Sequence, residues 1–285
     1  LDGGREAITP ARLLALWPET RKANTRGWLL ENLLDGKVEN IDLAVRLEPE
    51  EPPQSYVSFD YRDAHVRYVR TLPPITKGQG HFSLIGNRLV IAVDEGEVVS
   101  PVGGAVEVRG SASIIPDVSV RGGAPSVVRL NTRSSVTAAL SLLNLDPLNV
   151  MDKAGLSVGL AEGTAALNGT LSVPLKRGGS PADVAFHATA KLTEVQSTTL
   201  IKDRTLTAES LEVTADNSRI SIAGQAALDG VGFDGSWDQP IGQGGATSRL
   251  SGQVALSDSA LQTFGIARRP GTLSGTGQWR IAVDL

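Results

Sequence analysis

The sequence predicts a mainly β protein: one long antiparallel sheet, an N-terminal helical segment and one short internal helix. Two observations carry this reading. Five stretches of the second half alternate apolar and polar residues with a period of two, the repeat that sends successive strand side chains to opposite faces. Between such stretches sit turn-forming breaks, at Lys176–Pro181, Asp216–Ser218 and Asp229–Gly230, of the kind that closes antiparallel hairpins.

The elements follow in order. Thr9 suits a helix cap, Pro10 suits the first helical position and ARLLALW follows, in a helical region spanning 8–35. Its second part covers Thr25–Leu34, with Trp28, Leu29 and Leu33 on one face and Gly36 as terminator. Strands are then expected at Val38–Leu47, Tyr56–Tyr61, Ala64–Val69, His81–Ile85, Arg88–Asp94, Glu97–Val99 and Gly104–Val108. The proline-bearing runs 48–53 and 72–74 are loops, because proline cannot donate to a ladder. Strands at Ala112–Ile115 and Ser126–Leu130 lead to a short helix near Ser134–Leu143, with Val136, Leu140 and Leu143 at helical spacing and Pro147 beyond its end.

From Gly155 onward everything reads as strand, turn, strand. In 164–175 the apolar phase holds Ala165, Leu167, Leu171, Val173 and Leu175, whereas Thr164, Asn168, Thr170 and Ser172 hold the other. The pattern returns at Val184, Phe186, Ala188, Ala190 and Leu192, and at Ile220, Ile222, Ala226 and Leu228. It returns again at Leu250, Val254 and Leu256, and at Leu273, Trp279, Ile281 and Val283. Laid side by side, these strands make a sheet with a continuous apolar surface on one side. The organisation expected is a helical segment over 1–36, a first sheet section over 37–133, a short helix and loop over 134–150, and a second sheet section over 151–285, all one continuous unit.

Composition narrows the function. A net charge of −4 with both signs interspersed lacks the basic stripe that nucleic acid requires. The absence of cysteine excludes thiolate metal sites and disulfides. Aromatics make up only 4% of the chain, so aliphatic side chains and Ala must build the apolar face. No apolar run reaches the roughly 18 residues of a spanning helix. The chain begins at LDGGREAITP without Met and stops at Leu285 inside an alternating run, and we expect it to be a segment of a longer protein.

No constellation of catalytic residues emerges. His65, His81 and His187 are far apart, each inside a strand pattern, and read as strand surface residues rather than metal ligands. No nucleophile elbow or phosphate-binding loop is present; the glycine-rich run 242–245 precedes no helix and reads as a turn. Asn168-Gly-Thr170 matches a glycosylation acceptor by chance inside a strand, and Glu48, Glu50 and Glu51 form a solvated loop. Neither an enzyme nor a cofactor is expected. Trp17 and Trp28 lie eleven residues apart, close to three helical turns, and would share a face. They either dock the helix on the sheet or let it plug or gate an apolar groove.

The run beginning at Trp17, WPETRKANTRGWLLENLLDGKV, resembles the signature of AsmA-like proteins of the YhdP/TamB group, in which a helix bearing spaced Trp, Asn and Gly leads into the first strands. FDYRDAHVRYVRTLPPITKGQG (59–80) and DPLNVMDKAGLSVGLAEGTAALNGTLSVPL (146–175) extend the resemblance. It implies a bridge-like lipid transfer protein: a long, strongly twisted and curved sheet folded into an open apolar groove. Such proteins are anchored in the inner membrane of Gram-negative bacteria, cross the periplasm toward the outer membrane and are implicated in moving phospholipid between the two.

On that reading the groove would be lined by Leu167, Leu171, Val173, Val184, Phe186, Leu192, Ile220, Ile222, Leu250, Val254, Leu256, Trp279 and Ile281, against phospholipid acyl chains. Small residues in the apolar phase (Ala165, Gly169, Ala188, Ala190, Gly252, Gly275, Gly277) would leave volume for them. The alternative is a structural or adhesive solenoid or sandwich whose apolar face is buried in its own closed core.

Overall fold

The computed structural model describes residues 7–17, 19, 23–46, 49, 54–120, 124–175, 180–241, 247–265 and 277–284. These residues form one antiparallel sheet of fourteen strands and five α-helices. The strands are β1 (Leu33–Arg46), β2 (Gln54–Val66), β3 (Ile75–Ile85), β4 (Arg88–Val99), β5 (Ala105–Glu107), β6 (Ser111–Ile115), β7 (Pro125–Ser135), β8 (Glu162–Pro174), β9 (Ala185–Ser197), β10 (Leu206–Asp216), β11 (Arg219–Leu228), β12 (Val231–Pro240), β13 (Arg249–Leu256) and β14 (Gly277–Asp284). The helices are α1 (Pro10–Leu16), α2 (Ala23–Asn32), α3 (Val136–Leu143), α4 (Val150–Ala154) and α5 (Asp258–Thr263). Chain neighbours are sheet neighbours throughout, except that β5 and β6 share the place between β4 and β7.

Local chemistry builds this meander. Asp229 and Gly230 both have positive φ (48° and 82°), the geometry of a two-residue turn whose twist matches its flanking strands, and β11 pairs directly into β12 from Leu228 and Val231. At the β10–β11 corner the Asp216 carboxylate accepts from the backbone N–H groups of Ser218 and Arg219. Register shifts interrupt most pairings from β1 to β4, and again between β8 and β9 and between β10 and β11. Asn40, Asp63, Lys77 and Glu194 take positive φ at or beside these irregularities. Bulges bend a strand and raise its twist, so the sheet coils.

Several boundaries differ from expectation. The helical region is two helices: α1 stops at Leu16, and Trp17 is extended (φ −91°, ψ 116°) because Pro18 follows it and a pre-proline residue is pushed out of the helical region. β1 begins at Leu33, inside the expected helix, and runs past Gly36 through a bulge. The expected strands Tyr56–Tyr61 and Ala64–Val69 are one strand, β2, carried through a bulge at Asp63 and ending at Val66, short of Val69; Arg88–Asp94 and Glu97–Val99 are likewise one strand, β4. Helix is also not confined to the two expected regions. α4 and α5 lie outside them, and the hydroxyl of Ser257 caps α5 by accepting from the Ala260 N–H. β7 pairs with β8 along its whole length, so α3 and α4 form an excursion from one continuous sheet.

The main core sits at the β1 end, where α1 and α2 lie on the sheet. Leu13, Leu14, Trp17 and Leu29 meet Val38, Val57, Phe59, Phe82, Leu84 and Leu89 there. Phe59 and Phe82 stack with ring centroids 4.6 Å apart, and Phe59 and Leu84 are 2% and 0% exposed.

Candidate functional site

Residues directly opposite in an antiparallel pair share a face, so the register traces one surface across the whole sheet. Leu171 of β8 faces Phe186 of β9, and Leu167 and Ala165 face Ala190 and Leu192. Ala190 and Leu192 face Val213 and Leu211 of β10, which face Ile222 and Gly224 of β11. Ile222 and Ala226 face Trp237 and Phe233 of β12; these face Leu250 and Val254 of β13, which face Val283 and Trp279 of β14. In the other direction Leu171 faces Val128 of β7, and the same face passes through Ser113 of β6 to Ile91, Phe82 and Phe59. The candidate residues of β8, β9, β11, β13 and β14 therefore stand on one face. Val184 precedes β9 by one residue, and its carbonyl accepts from Asn217. Leu256 belongs to β13 by backbone, but its side chain lies outside the described residues.

The burial of this face changes along the sheet. From β8 to β11 its large side chains, including Leu167, Leu171, Phe186, Leu192, Val213, Ile220 and Ile222, are half-buried, and no cluster of fully buried large residues like the one at the β1 end forms there among the described residues. A second, small cluster joins α5 to Val231 and Val254. On β14 the face opens further: Trp279 is 48% and Ile281 40% exposed. The opposite face carries Asn168, Thr170, His187, Lys191, Glu212, Gln225, Asp234 and Gln253.

Glycines mark where the strands crowd one another on this face. Gly224, Gly235 and Gly252 are successive partners on β11, β12 and β13, all on the apolar face. A Cβ on Gly235 would meet the Ser251 carbonyl, and one on Gly252 the Asp234 carbonyl and the Gly235 Cα. At these three positions the neighbouring strand's backbone lies close on the apolar face and leaves no room for a side chain. Gly80 repeats the arrangement beside β4, where a Cβ would meet the Ala92 carbonyl and the Tyr61 hydroxyl. The volume expected at Gly252 is thus occupied by backbone: this glycine permits bending rather than opening space. Gly169 differs, its nearest neighbour being the Ala188 Cβ at 3.5 Å. Gly275 lies outside the described residues.

Comparison of the chain with protein-family models, with curated proteins and with solved structures finds no match.

Sequence reasoning missed β10 and β12, which supply Leu206, Ala208, Leu211, Val213, Phe233 and Trp237 to the same face. In β10 a bulge near Ala208–Glu209 throws the alternation out of phase. In β12 the spacing Val231, Phe233, Trp237 was the available signal, broken by Gly235. Between β6 and β7 the face is crossed by a seam of hydroxyls: Ser113 and Ser126 bond each other at 2.8 Å, and Ser111 donates to the Asn131 carbonyl and accepts from its N–H. Paired in this way, they present little demand for water.

The shared helical face of Trp17 and Trp28 does not exist, because the helix is broken between them. Trp17 is buried in the core and docks α1, whereas Trp28 on α2 is 38% exposed at the rim of an apolar cavity. His65, His81 and His187 lie on exposed strand positions, with His81 bonded to Asp60 at 2.9 Å. Hydrogen bonds from Asn40 and His81 hold the Asp60 carboxyl below its ordinary range. Among the described residues no three His, Asp or Glu side chains gather as metal ligands, and no helix is long and apolar enough to cross a membrane. The runs with Glu48, Glu50 and Glu51 and with 242–245 lie outside the described residues.

Proposed function

We propose that this chain is a segment of a bridge-like lipid transfer protein, whose concave apolar face carries phospholipid acyl chains while the headgroups stay in water. The observation that supports this reading is the continuous apolar face of β8–β14, half-buried from β8 to β11, crossed by a row of close-packed glycines and, among the described residues, without a core like the one at the β1 end. Acyl chains need a surface with no hydrogen-bonding demand, and a single curled sheet supplies it without closing. With the AsmA-like resemblance, the proposal places the segment in the periplasm, in a parent protein anchored in the inner membrane, passing phospholipid between the two membranes. It acts as a conduit, without a cofactor, nucleic acid or chemical step.

One observation favours a structural role for the β1–β4 end: there α1 and α2 cover the face and close a core. The test is extraction of the purified protein and mass spectrometry of what it carries. Phospholipid at a reproducible ratio to protein is the expected result. A protein recovered from cells free of lipid, and unable to take up fluorescent phospholipid from vesicles, would overturn the proposal.

A further inference from the structure

We propose that the cavity under α2 binds the methyl end of one acyl chain, which rests on the lipid reading and deepens it. The cavity lies between α2 and the apolar face of β2–β4, lined by Trp28, Leu29, Phe59, Phe82, Ile91 and Val93. Tyr61 also faces into it, but its hydroxyl donates to the Ala92 carbonyl at 2.6 Å, and burial pushes its phenol well above the ordinary value. No buried side-chain polar atom among the described residues lacks a partner. A cavity of this chemistry has nothing to hold water and takes apolar ligands.

Two observations select a hydrocarbon chain over a protein segment. An inserted strand or helix end would bring backbone N–H and C=O groups into a lining that offers them no partners. A methylene chain brings none, and it is narrow enough to pass between a helix and a sheet. The strand residues that line it stand on the face that carries Leu167 and Leu171, by register through Ile91, Ser113 and Val128, so a chain lying on that face reaches the lining without crossing to the polar side. Trp28 stands at the rim, while its neighbour Leu29 is 4% exposed and packs inside.

The four tryptophans supply the test, since Trp28 marks the cavity, and Trp237 and Trp279 mark the far end of the face. A variant keeping only Trp28 and another keeping only Trp279 are titrated with palmitic acid brominated near its methyl end, and quenching is followed. The cavity predicts saturable quenching of Trp28 that is lost in Ile91→Phe, which fills the space, while quenching of Trp279 persists. Quenching of Trp279 alone overturns the cavity and leaves the groove standing. Quenching of neither overturns both. Quenching of Trp28 that survives Ile91→Phe is adsorption at the surface and also overturns the cavity. If removal of the buried Trp17 prevents folding, 19F spectra of the 5-fluorotryptophan-labelled wild type and Ile91→Phe proteins read the same four indoles.

Discussion

Leu171→Asp separates an open groove from a closed core through one strand. Leu171 is half-buried on β8 between Val128 and Phe186. Full burial of a leucine stabilises by about 1.5–3 kcal/mol, so losing this partly buried one costs about 1–2 kcal/mol. Water reaches the new carboxylate from the open side, which spares it the several kcal/mol of desolvation that a closed interior imposes. The melting temperature should fall by about 2–8 °C. Leu84→Asp calibrates the scale: Leu84 is 0% exposed in the core by α1 and α2, and its replacement should cost more than about 4 kcal/mol. Thr170→Asp, on the opposite face between Arg129 and His187, should change stability by less than about 0.5 kcal/mol. The assay is a melting curve with quantification of co-purified phospholipid. Leu171→Asp should fold but carry no lipid, Thr170→Asp should fold and carry it, and Leu84→Asp should not fold. If Leu171→Asp unfolds as Leu84→Asp does, the face is a dry interior and the groove reading fails. If it folds and keeps its lipid, the face has been assigned the wrong role.

Gly80→Ala should destabilise by about 2–4 kcal/mol, because the methyl drives into the Ala92 carbonyl and displaces the buried Tyr61 hydroxyl from it; a denaturant midpoint within error of wild type refutes this. The attachment of α5 should be lost in acid. Arg204 donates to Asp229 at 2.7 Å and to the Thr263 carbonyl at the end of α5, and it lies over the Phe264 ring. The Thr205 N–H and then Arg204 hold the Asp229 carboxyl below its ordinary value. A depressed pKa contributes stability above the unfolded value of about 3.9 that disappears as pH falls through the folded one. Protection of the α5 amides, taken against the intrinsic exchange rate at each pH, should therefore fall in the wild type as pH drops below about 4 and be low already at neutral pH in Asp229→Asn, the two converging in acid; a variant that keeps the wild-type pH dependence would count against the link.

The architecture was legible where one residue type recurred at one spacing. Leu, Val and Ile at period two in 164–175, 184–192, 220–228 and 250–256 mark β8, β9, β11 and β13, and the period also assigns their faces. It failed where the backbone broke the count. The bulge near Ala208 hid β10, and Gly235 within β12 stood where the pattern wanted a large side chain, because the close backbone of β13 left no room for one. Trp17 misled for a different reason: helical spacing to Trp28 is meaningful only along an unbroken helix, and Pro18 breaks it. The cavity under α2 was beyond reach, since its lining comes from α2, β2, β3 and β4 and no single segment encodes it.

The two ends of one face then pose a question about selection. Uncovered aliphatic surface forgoes roughly 25 cal/mol for every Å² left in water, and it invites aggregation. The chain has the means to cover such a surface, as α1, α2 and their stacked aromatics do over β1–β4. From β8 to β11 it places Leu, Ile, Val and Phe in register on the apolar side yet fully buries only Val195 among them. Substituting polar residues at those positions would relieve the exposure, and the other face of the same strands is polar already. A sheet selected for folding alone would end in one of those two ways. On the lipid proposal the half-buried face is retained because hydrocarbon chains fill it, and such chains match its lack of polar partners and its continuity from strand to strand.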